Sequence, residues 1–450
     1  MKSQRSIIHR IVLAVLALAF LSAAAPARAD DEDKRAPQDY GRPHDTTAGD
    51  VALWIPRVAL FPFYLISQYM LRAPIGLVVR TAEKDDWAGQ IYDFFTFGAR
   101  KQLGIFPSFL VDFGLLPSVG VNGFYKYAGA ENNTIDFHLG FWGPNWLNVI
   151  VSDRYDWTHR DHLTLRGQFI RRQDNPFYGL GPKSEHDDRA RYGTDVIDAR
   201  LGYDRDLGSY STFGTSAGAT ALAFHKGSCC DDLSVRSAVD RGRFAPPTGY
   251  GEDYVAFTPK AQLVLDSRAP RPNPGTGVHF EAHAEPGIAP AMGMADPKAW
   301  LRYSGSLGGV IDLTGKQRNL GIAVDTVVAD SITGHVPFTE QATLGGDVLM
   351  RGYLRGRLVG RSALVGTLSY TWPVWALFDG SLQVATGNVF GTHYDGFNAK
   401  LLRMSYGIGV RGNAARGANV EVLIALGTKT IDEGAGFDTV RFVFGVHHGI

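Results

Sequence analysis

Histidine and cysteine are the residue types best suited to catalysis or metal binding, and their spacing in this chain supports neither. The sequence holds 13 histidines but no His-Glu-x-x-His motif and no phosphate-binding P-loop. Four histidines fall on the polar side of segments that alternate apolar and polar residues, where a solvated side chain needs no ligand: His138, His279, His283 and His447. A catalytic site needs a nucleophile or base with a partner. We therefore predict that the protein is not an enzyme and has no cofactor.

Cys229 and Cys230 are adjacent and are the two cysteines of the sequence. Adjacent cysteines do not easily meet normal disulfide geometry, so a strained bridge, free thiols and metal capture with Asp231 and Asp232 all fit the sequence. We favour a passive surface pair, because zinc sites usually need four converging ligands. The acidic cluster at 185–188 is equally weak evidence for a cation, and we predict no metal site.

The first 29 residues have the pattern of an export signal. Basic residues precede an apolar run from Ile11 to Ala25, and a cleavage site follows at 27–29. We predict a signal peptide at 1–29, cleaved near Ala29, and a disordered polar linker at 30–50. The formal net charge of zero gives no argument for a nucleic-acid partner.

Residues 51–103 form a separate N-terminal segment of the mature chain. Its apolar stretch at 51–80 is long enough to cross a membrane, but it contains prolines, which break helices, and arginines, which are costly in lipid. We expect an amphipathic helix around Phe63–Leu71 instead, at the periplasmic interface or against a barrel mouth.

From about Gly104 onward, apolar and polar residues alternate in segments bounded by turn signals, which predicts roughly sixteen β-strands. In one of them, Ile408 lies on the apolar face and Ser405 on the polar face. Connections are long after odd-numbered strands and mostly short after even-numbered ones, as in outer-membrane barrels. We predict an all-β fold, a transmembrane antiparallel β-barrel over 104–450, in the bacterial outer membrane with lipid against its apolar face. Ile408→Arg should then impair assembly more than Ser405→Arg.

One long connection of this barrel differs from a polar tether. The stretch Leu344–Gly360 is rich in glycine and carries Leu, Val, Met and Tyr. Long loops of this kind are usually functional or disordered. Its glycines allow tight turns or positive φ, and its apolar side chains need a surface to pack against. The inside of the barrel is the simplest such surface.

The motifs of this loop carry a resemblance. Gly345-Gly346 followed by Arg351-Gly352-Tyr353 resembles the Gly-Gly…Arg-Gly-Tyr/Phe loop of the BamA/TamA-like bacterial surface antigen superfamily of outer-membrane insertases and two-partner secretion transporters. Three further motifs agree in order: 175–181 (NPFYGLG), 266–277 (Asp-x-Arg…Pro-Gly-x-Gly) and 405–411 (Ser-x-Gly-x-Gly-x-Arg). The likeness covers roughly residues 100–450.

The resemblance implies insertion or translocation of proteins, or lipids, at the outer membrane, with unfolded outer-membrane or secreted proteins as clients. Such barrels work through a weak seam between the first and last strands. The final strand, TVRFVFGVHHGI, fits a seam with Phe442 and Phe444 toward lipid. The segment at 30–103 lacks the pattern of the family's periplasmic peptide-binding domains, which implies a member without them. The alternative is a passive pore or structural barrel without insertase activity.

The resemblance also implies that Arg351 turns into the lumen and locks the loop to the wall. Ser369 and Ala385 stand where the family has the acids that receive this arginine. An arginine buried without an acceptor would be costly. Besides backbone carbonyls, the possible acceptors are Ser369, Gln383, Glu421 and Asp325. The alternative is an exposed arginine in water.

Overall fold

Sixteen antiparallel strands close into a barrel in the computed structural model, which describes residues 87–208, 210–269, 275–291, 296–375, 378–412 and 418–448. Successive strands pair with each other, and the last pairs with the first. The eighth strand consists of two segments. The predicted fold class and strand number are confirmed. The wall strands are β1 (Leu103–Asp112), β2 (Ser118–Lys126), β3 (Asn133–Phe141), β4 (Trp146–Asp156), β5 (Asp161–Phe177), β6 (Ala190–Asp206), β7 (Thr212–Lys226), β8 (Tyr254–Phe257 and Lys260–Asp266), β9 (Gly277–Ala289), β10 (Lys298–Asp312), β11 (Asn319–Thr333), β12 (Ser362–Trp375), β13 (Phe378–Phe390), β14 (Arg403–Gly412), β15 (Ala418–Thr428) and β16 (Phe437–His448).

Side chains alternate between the two faces of the wall as the sequence pattern predicts. Large apolar residues point outward, and Ile322 and Ile408 are 65% and 54% exposed. Polar residues at the alternate positions point inward and are buried, as Ser405 and Glu421 are. An apolar outer belt around polar inward side chains is the arrangement of transmembrane β-barrels.

The two longest strands of the barrel, β5 and β6, are neighbours, and we call them together with β7 the tall wall. β5 and β6 are 17 residues long and β7 is 15. The ladder between β6 and β7 runs without interruption from Tyr192 to Asp206. β5 continues at its outer end through 173–177, beyond Arg172, the last residue that pairs with β4.

The seam, where β1 meets β16, is the opposite case. Leu110–Asp112 pair with Val443–Gly445. One further hydrogen bond runs from the Phe113 N–H to the Phe442 carbonyl at 3.2 Å. The seam ladder is therefore a small fraction of the length of the tall-wall ladders.

Pro107 explains part of this shortness. Backbone N–H groups point alternately to the two sides of a strand, and the Phe113 N–H points toward β16. The N–H groups of Val111 and Phe109 have the same direction. Pro107 is the next residue in this series, and proline has no backbone N–H. Proline in a sheet is confined to such unpaired edges. In the described part of the chain, residues 105–109 of β1 have no register partner on this side.

Helix α1 (Trp87–Phe95) precedes the barrel and leads into a two-residue strand, Thr96–Phe97. This strand pairs with the first two residues of β1. Because β2 occupies the other edge of β1, the pairing covers the periplasmic end of the seam edge. The rings of Tyr92 and Phe95 lie 6.1 and 5.7 Å from that of Phe106, which fixes α1 against β1.

No helix in the described ranges is long and apolar enough to cross a bilayer. The predicted helix around Phe63–Leu71, the signal peptide and the linker lie outside the described residues.

The outer loops carry the remaining short elements. The connection 334–361 joins β11 to β12, and we call it the inward loop. Its buried Leu344, Met350, Tyr353 and Leu358 pack on small and β-branched residues of β12 and β13 and form a core inside the barrel. The short elements are α2 (Val235–Asp240), the 3-10 turns Phe338–Glu340, Thr392–Tyr394 and Ala399–Leu401, and the strands Leu233–Ser234, Ala342–Leu344 and Leu358–Gly360.

Candidate functional site at the seam and the inward loop

Side chains would not fit at two glycines of the inward loop, Gly345 packed against the loop's own backbone and Gly352 packed against the wall. Gly345 has φ +102°, and a Cβ there would lie 2.2 Å from the Leu354 carbonyl oxygen. A Cβ on Gly352 would lie 2.2 Å from the Leu426 carbonyl oxygen of β15. Gly346 has φ +92°, which also favours glycine. The Gly-Gly and Arg-Gly-Tyr motifs are thus the two places where the loop turns sharply and touches the wall.

Tyr353 binds the backbone of β15, and Gly352 binds hydroxyl side chains of β14 and β16. The Tyr353 hydroxyl lies 2.6 Å from the Thr428 carbonyl and accepts a hydrogen bond from the Thr428 N–H at 2.7 Å. The Gly352 N–H donates to Ser405 Oγ at 2.7 Å, and its carbonyl accepts from Thr439 Oγ1 at 2.7 Å. Burial raises the pKa of Tyr353 above its usual range. The phenol therefore stays protonated and the loop tip is held by neutral hydrogen bonds.

Arg351 lies in the lumen and is 7% exposed. Its Nη2 is 2.5 Å from Glu421 Oε1, and Arg411 approaches the same oxygen at 3.8 Å. The contact is an ion pair without aligned hydrogen-bond geometry, and Arg351 Nε and Nη2 have no hydrogen-bond acceptor. Glu421 thus compensates the charge of Arg351, but two of the guanidinium nitrogens of Arg351 have no hydrogen-bond acceptor.

Among the four acceptors proposed from the sequence, the structure brings Glu421 to Arg351. No hydrogen bond or ion pair joins Arg351 to Ser369, Gln383 or Asp325 within the described residues. Ser369 and Gln383 are register partners on β12 and β13. Asp325 lies on β11 beside Ser306. Beside Arg351, Gly352 and Tyr353 make their hydrogen bonds to β14, β15 and β16, and Glu421 lies on β15.

Arg441, on β16, makes a denser set of contacts than Arg351. Nε and Nη2 donate to the Asp112 carboxylate of β1 at 3.0 and 2.7 Å, across the seam. Nη1 donates to the carbonyls of Gly346 and Arg351 at 2.5 and 3.2 Å. Nη2 also donates to Asp347 at 2.8 Å. We call Arg441 with Asp112 the seam clasp, and its partners come from both the wall and the inward loop.

Residues 178–189, the crossing segment, reach across the lumen from the tall wall to β13 and β14. The Ser184 carbonyl accepts hydrogen bonds from Arg357 and Arg403 at 3.0 and 2.9 Å. Both arginines are also near Asp438 of β16, at 3.2 and 3.9 Å. Burial lowers the pKa of Arg357, and the Arg403 charge acts in the same direction. The crossing segment and the inward loop together cover the outer mouth of the barrel.

A cavity of about 290 Å³ lies at the outer end of the seam. Phe113 and Arg441 form its wall side, and Leu354 of the inward loop and His186 of the crossing segment close it. Burial lowers the pKa of His186. The cavity thus marks the point where both loops meet the seam.

The remaining chemical candidates do not assemble a site. Cys229 and Cys230 form a disulfide. The neighbouring Asp232 binds Arg189 and Arg191 at 2.9 and 2.8 Å, so its charge is already compensated. Within the described ranges, no three His, Cys, Asp or Glu side chains are grouped to hold a metal ion.

One nucleophile spacing escaped the sequence reasoning. Residues 214–218 read Gly-Thr-Ser-Ala-Gly, the Gly-x-Ser-x-Gly order of hydrolases. They lie in the middle of β7 rather than at a strand-to-helix turn. Ser216 receives a hydrogen bond from Arg200 at 3.3 Å, and an arginine is not a general base.

The most important residues that sequence reasoning missed are Arg441 and Asp112. The sequence could have predicted that Arg441 points inward, because it alternates with the outward-facing Phe442 and Phe444. Asp112 was readable as an acid at the outer end of the first strand. Their pairing was not readable, because it depends on the register in which the barrel closes.

The model of the Omp85 superfamily domain matches residues 118–446 of this sequence. The chain belongs to the Omp85 superfamily. Among solved structures, BamA from Haemophilus ducreyi lacking POTRA domains 1–3 is similar with a TM-score of 0.55 and 14% identity, over 77% of this chain and 70% of that one. This likeness shows the barrel fold.

Two further structures are similar. CdiB from Acinetobacter baumannii has a TM-score of 0.48 and 9% identity, over 77% of this chain and 59% of that one. CdiB from Escherichia coli has a TM-score of 0.47 and 12% identity, over 76% and 63%. No curated protein sequence matches the chain significantly. The superfamily membership and the barrel imply the bacterial outer membrane.

Proposed function

We propose that this Omp85 barrel assists the insertion or translocation of proteins at the bacterial outer membrane, and that the seam is the working site. The observation that carries the proposal is the short β1–β16 ladder, set against the uninterrupted β6–β7 ladder of the tall wall. Each ladder hydrogen bond contributes about 0.5–1.5 kcal/mol net. The seam is therefore the place where this barrel opens at the lowest cost.

The free edge of β1 supplies what a client strand needs. Between Ile105 and Phe109 its seam side carries backbone groups that β16 does not pair within the described residues. An extended client segment can add to such an edge through main-chain hydrogen bonds, without a defined sequence. Pro107 limits this pairing to the residues on either side of it. The rings of Phe109 and Phe444, 5.2 Å apart, cover the outward side of the seam.

The passive-pore alternative fits less well. A pore needs an open lumen, and here the crossing segment and the inward loop are tied to the wall over the outer mouth by buried contacts of Arg357, Arg403 and Tyr353. A structural barrel without clients stays an outcome of the experiment below.

Several expectations from the sequence are part of the proposal. The chain is exported and its signal is cleaved near Ala29. It is not an enzyme, uses no cofactor, and contacts outer-membrane lipid through its outward belt.

The test is to lock the seam. Val111 and Phe444 are register partners, and a hydrogen-bonded pair has a Cα separation of about 5.5 Å, within disulfide range. Val111→Cys and Phe444→Cys are combined in a chain with Cys229→Ser and Cys230→Ser. Vesicles with this variant are given an unfolded outer-membrane barrel, and its acquisition of protease resistance is followed.

The expected result is client insertion by the reduced variant and none by the oxidised one. The matched control carries Thr194→Cys and Phe224→Cys, register partners in the tall wall, and should insert the client in both states. Equal insertion with the seam locked and unlocked would contradict the proposal. In cells, depletion followed by measurement of the outer-membrane proteome and of lipid asymmetry separates protein clients from lipid clients. No change in either measurement would favour a structural barrel.

A further inference from the structure

We propose that Arg441 is a positioning residue that couples closure of the seam to docking of the inward loop. The inference rests on the proposed function, whose site it regulates. The seam opens when Arg441 releases Asp112, and the same guanidinium holds the loop. Opening of the seam and release of the loop are therefore one linked event rather than two independent ones.

The geometry of the guanidinium carries the inference. Arginine has five N–H donors in a fixed planar fork. In Arg441, two N–H groups are used by Asp112, one by Asp347 and two by the carbonyls of Gly346 and Arg351. No donor is left over for water or for another acceptor. A change in the position of any partner therefore disturbs the contacts with the others.

Burial makes these contacts dependent on one another. Arg441 and Asp112 are 3% and 5% exposed. If the loop withdrew alone, Arg441 would keep Asp112 but leave three donors unmatched in a site with little water. If β1 moved away alone, Asp112 would be a buried carboxylate without its cation. Each state in which only one of the two contacts of Arg441 is broken is costly. The state with both the seam and the loop in place and the state with both released are therefore favoured.

Arg351 does not provide the same coupling. Its ion-pair partner Glu421 lies on β15 and its own loop is held by Tyr353 and Gly352, so its side-chain contacts do not cross the seam. Arg357 and Arg403 reach Asp438 on β16 and the crossing segment, but no contact of theirs reaches β1 in the described ranges. Among these lumenal arginines, Arg441 alone joins β1, β16 and the inward loop.

Thermodynamic linkage gives the signature to be measured. If two events share a coupling free energy, a change that favours one must favour the other by the same factor. Asp112→Asn acts on the seam and Asp347→Asn acts on the loop. Each substitution keeps the size of its side chain and removes its charge. Coupling predicts that each loosens both the seam and the loop.

The experiment is amide hydrogen exchange of the full chain in client-free lipid nanodiscs. The seam is read from the amides of Val111 and Phe113, and the loop from those of Gly346 and Gly352, which donate to Tyr353 and Ser405. Exchange at such sites follows the free energy of local opening. Loss of one charge-assisted hydrogen bond should accelerate exchange by about tenfold or more.

The matched control is an Arg–Asp pair in the tall wall. Arg171 of β5 donates to Asp195 of β6 at 2.8 and 2.6 Å, the same bidentate chemistry across two neighbouring strands. Asp195→Asn should leave exchange at both the seam and the loop unchanged. This control shows whether the effect on exchange comes from losing any cross-strand ion pair or specifically from losing the seam clasp.

The outcomes are distinct. Acceleration at both sites by Asp112→Asn and by Asp347→Asn supports the coupling. Acceleration by Asp112→Asn at the seam with an unchanged loop would overturn it, and so would an equal effect of Asp195→Asn. If Asp112→Asn prevents assembly, Arg441→Lys is used. Lysine keeps the charge with three donors, so the seam and the loop should again accelerate together, and acceleration at one site alone would overturn the coupling.

Because no client is present, this result is independent of the proposed function. If the seam and the loop are coupled but the barrel does not insert clients, the proposed function is wrong and the role of Arg441 is supported. If the barrel inserts clients but the seam and the loop are not coupled, the proposed function is supported and the role of Arg441 is wrong.

Discussion

Two arginine–aspartate pairs cross neighbouring strands of this barrel with nearly the same geometry. Arg171 and Asp195 join β5 to β6, and Arg441 and Asp112 join β16 to β1. The first pair is partly exposed and sits within a long ladder, where it adds little to a connection that is already secure. The second is buried and stands beside a ladder of three residues per strand. The same type of ion pair is redundant in the tall wall and is a main connection at the seam.

The difference shows that a contact's importance depends on what else holds the two parts together. In the tall wall, the backbone ladder alone fixes the strands. At the seam, side chains and the inward loop supply most of the connection. The predictions below test this contrast, beginning with the largest effect.

The largest effect should come from proline in a ladder. Val196 lies in the middle of β6, with paired strands on both sides. Val196→Pro removes a ladder hydrogen bond in an interior strand, where proline is essentially not tolerated, and the barrel should fail to assemble. Ile105→Pro places proline on the open edge of β1, two residues before Pro107, and should assemble normally. The measurement is the protease-resistant fraction of each chain in membranes, and equal losses would contradict the contrast.

A second test compares the two faces of one strand. Leu307 of β10 is 58% exposed on the outward face. Its neighbour Ser306 points inward, beside Asp325 and Glu281. Leu307→Arg should destabilise the barrel by about 2–4 kcal/mol near the bilayer midplane, whereas Ser306→Arg gains two acidic neighbours and should be close to neutral. Urea unfolding midpoints in vesicles measure both, and similar shifts would remove the assignment of faces.

Ser405, which the sequence predicts as the tolerant inward position, is unsuitable for that comparison. Its hydroxyl accepts the Gly352 N–H, and it is 3% exposed. An arginine there would displace the inward loop, so the expected tolerance of Ser405→Arg does not hold. The alternation of the strand predicts the face correctly but carries no information about what covers it.

The two lumenal arginines should differ in their response to lysine. Arg441 uses every donor of its fork, and lysine can replace three of them at most. Arg441→Lys should therefore cost about 1.5–3 kcal/mol, the value of a hydrogen bond to a charged group. Arg351 makes an ion pair without aligned hydrogen bonds, which lysine can reproduce, so Arg351→Lys should cost less. Unfolding midpoints of the two variants give the order, and the reverse order would assign the main lock to Arg351.

The smallest effect should come from repairing the seam. Pro107→Val restores an N–H on the side that faces β16, where residues 446–448 continue the strand. One added ladder hydrogen bond is worth about 0.5–1.5 kcal/mol. Amide exchange of Val111 should slow by up to about tenfold, while exchange in β6 stays the same. An unchanged Val111 would mean that something other than proline ends the ladder.

The sequence was sufficient for the barrel because alternation is a local signal. Ile408 and Ser405 sit on their predicted faces since each strand has a period of two. The site was harder to predict, because it depends on contacts between residues far apart in sequence. Glu421 was one of four proposed acceptors for Arg351, and the choice among them depends on which strands the loop contacts. Arg441 and Asp112 are separated by nearly the whole barrel, and no local pattern joins them.

The height of the tall wall has a consequence for the outer mouth. The residues by which β5 extends beyond β4 correspond to about 17 Å of strand, at about 3.3 Å per residue, and the crossing segment starts from this raised end. Its carbonyls at Pro182 and Ser184 meet Arg403 on the far side of the lumen. A segment of fixed length can span the mouth only from a particular starting height. The length of β5 therefore determines which residues on the opposite side of the barrel the crossing segment can contact.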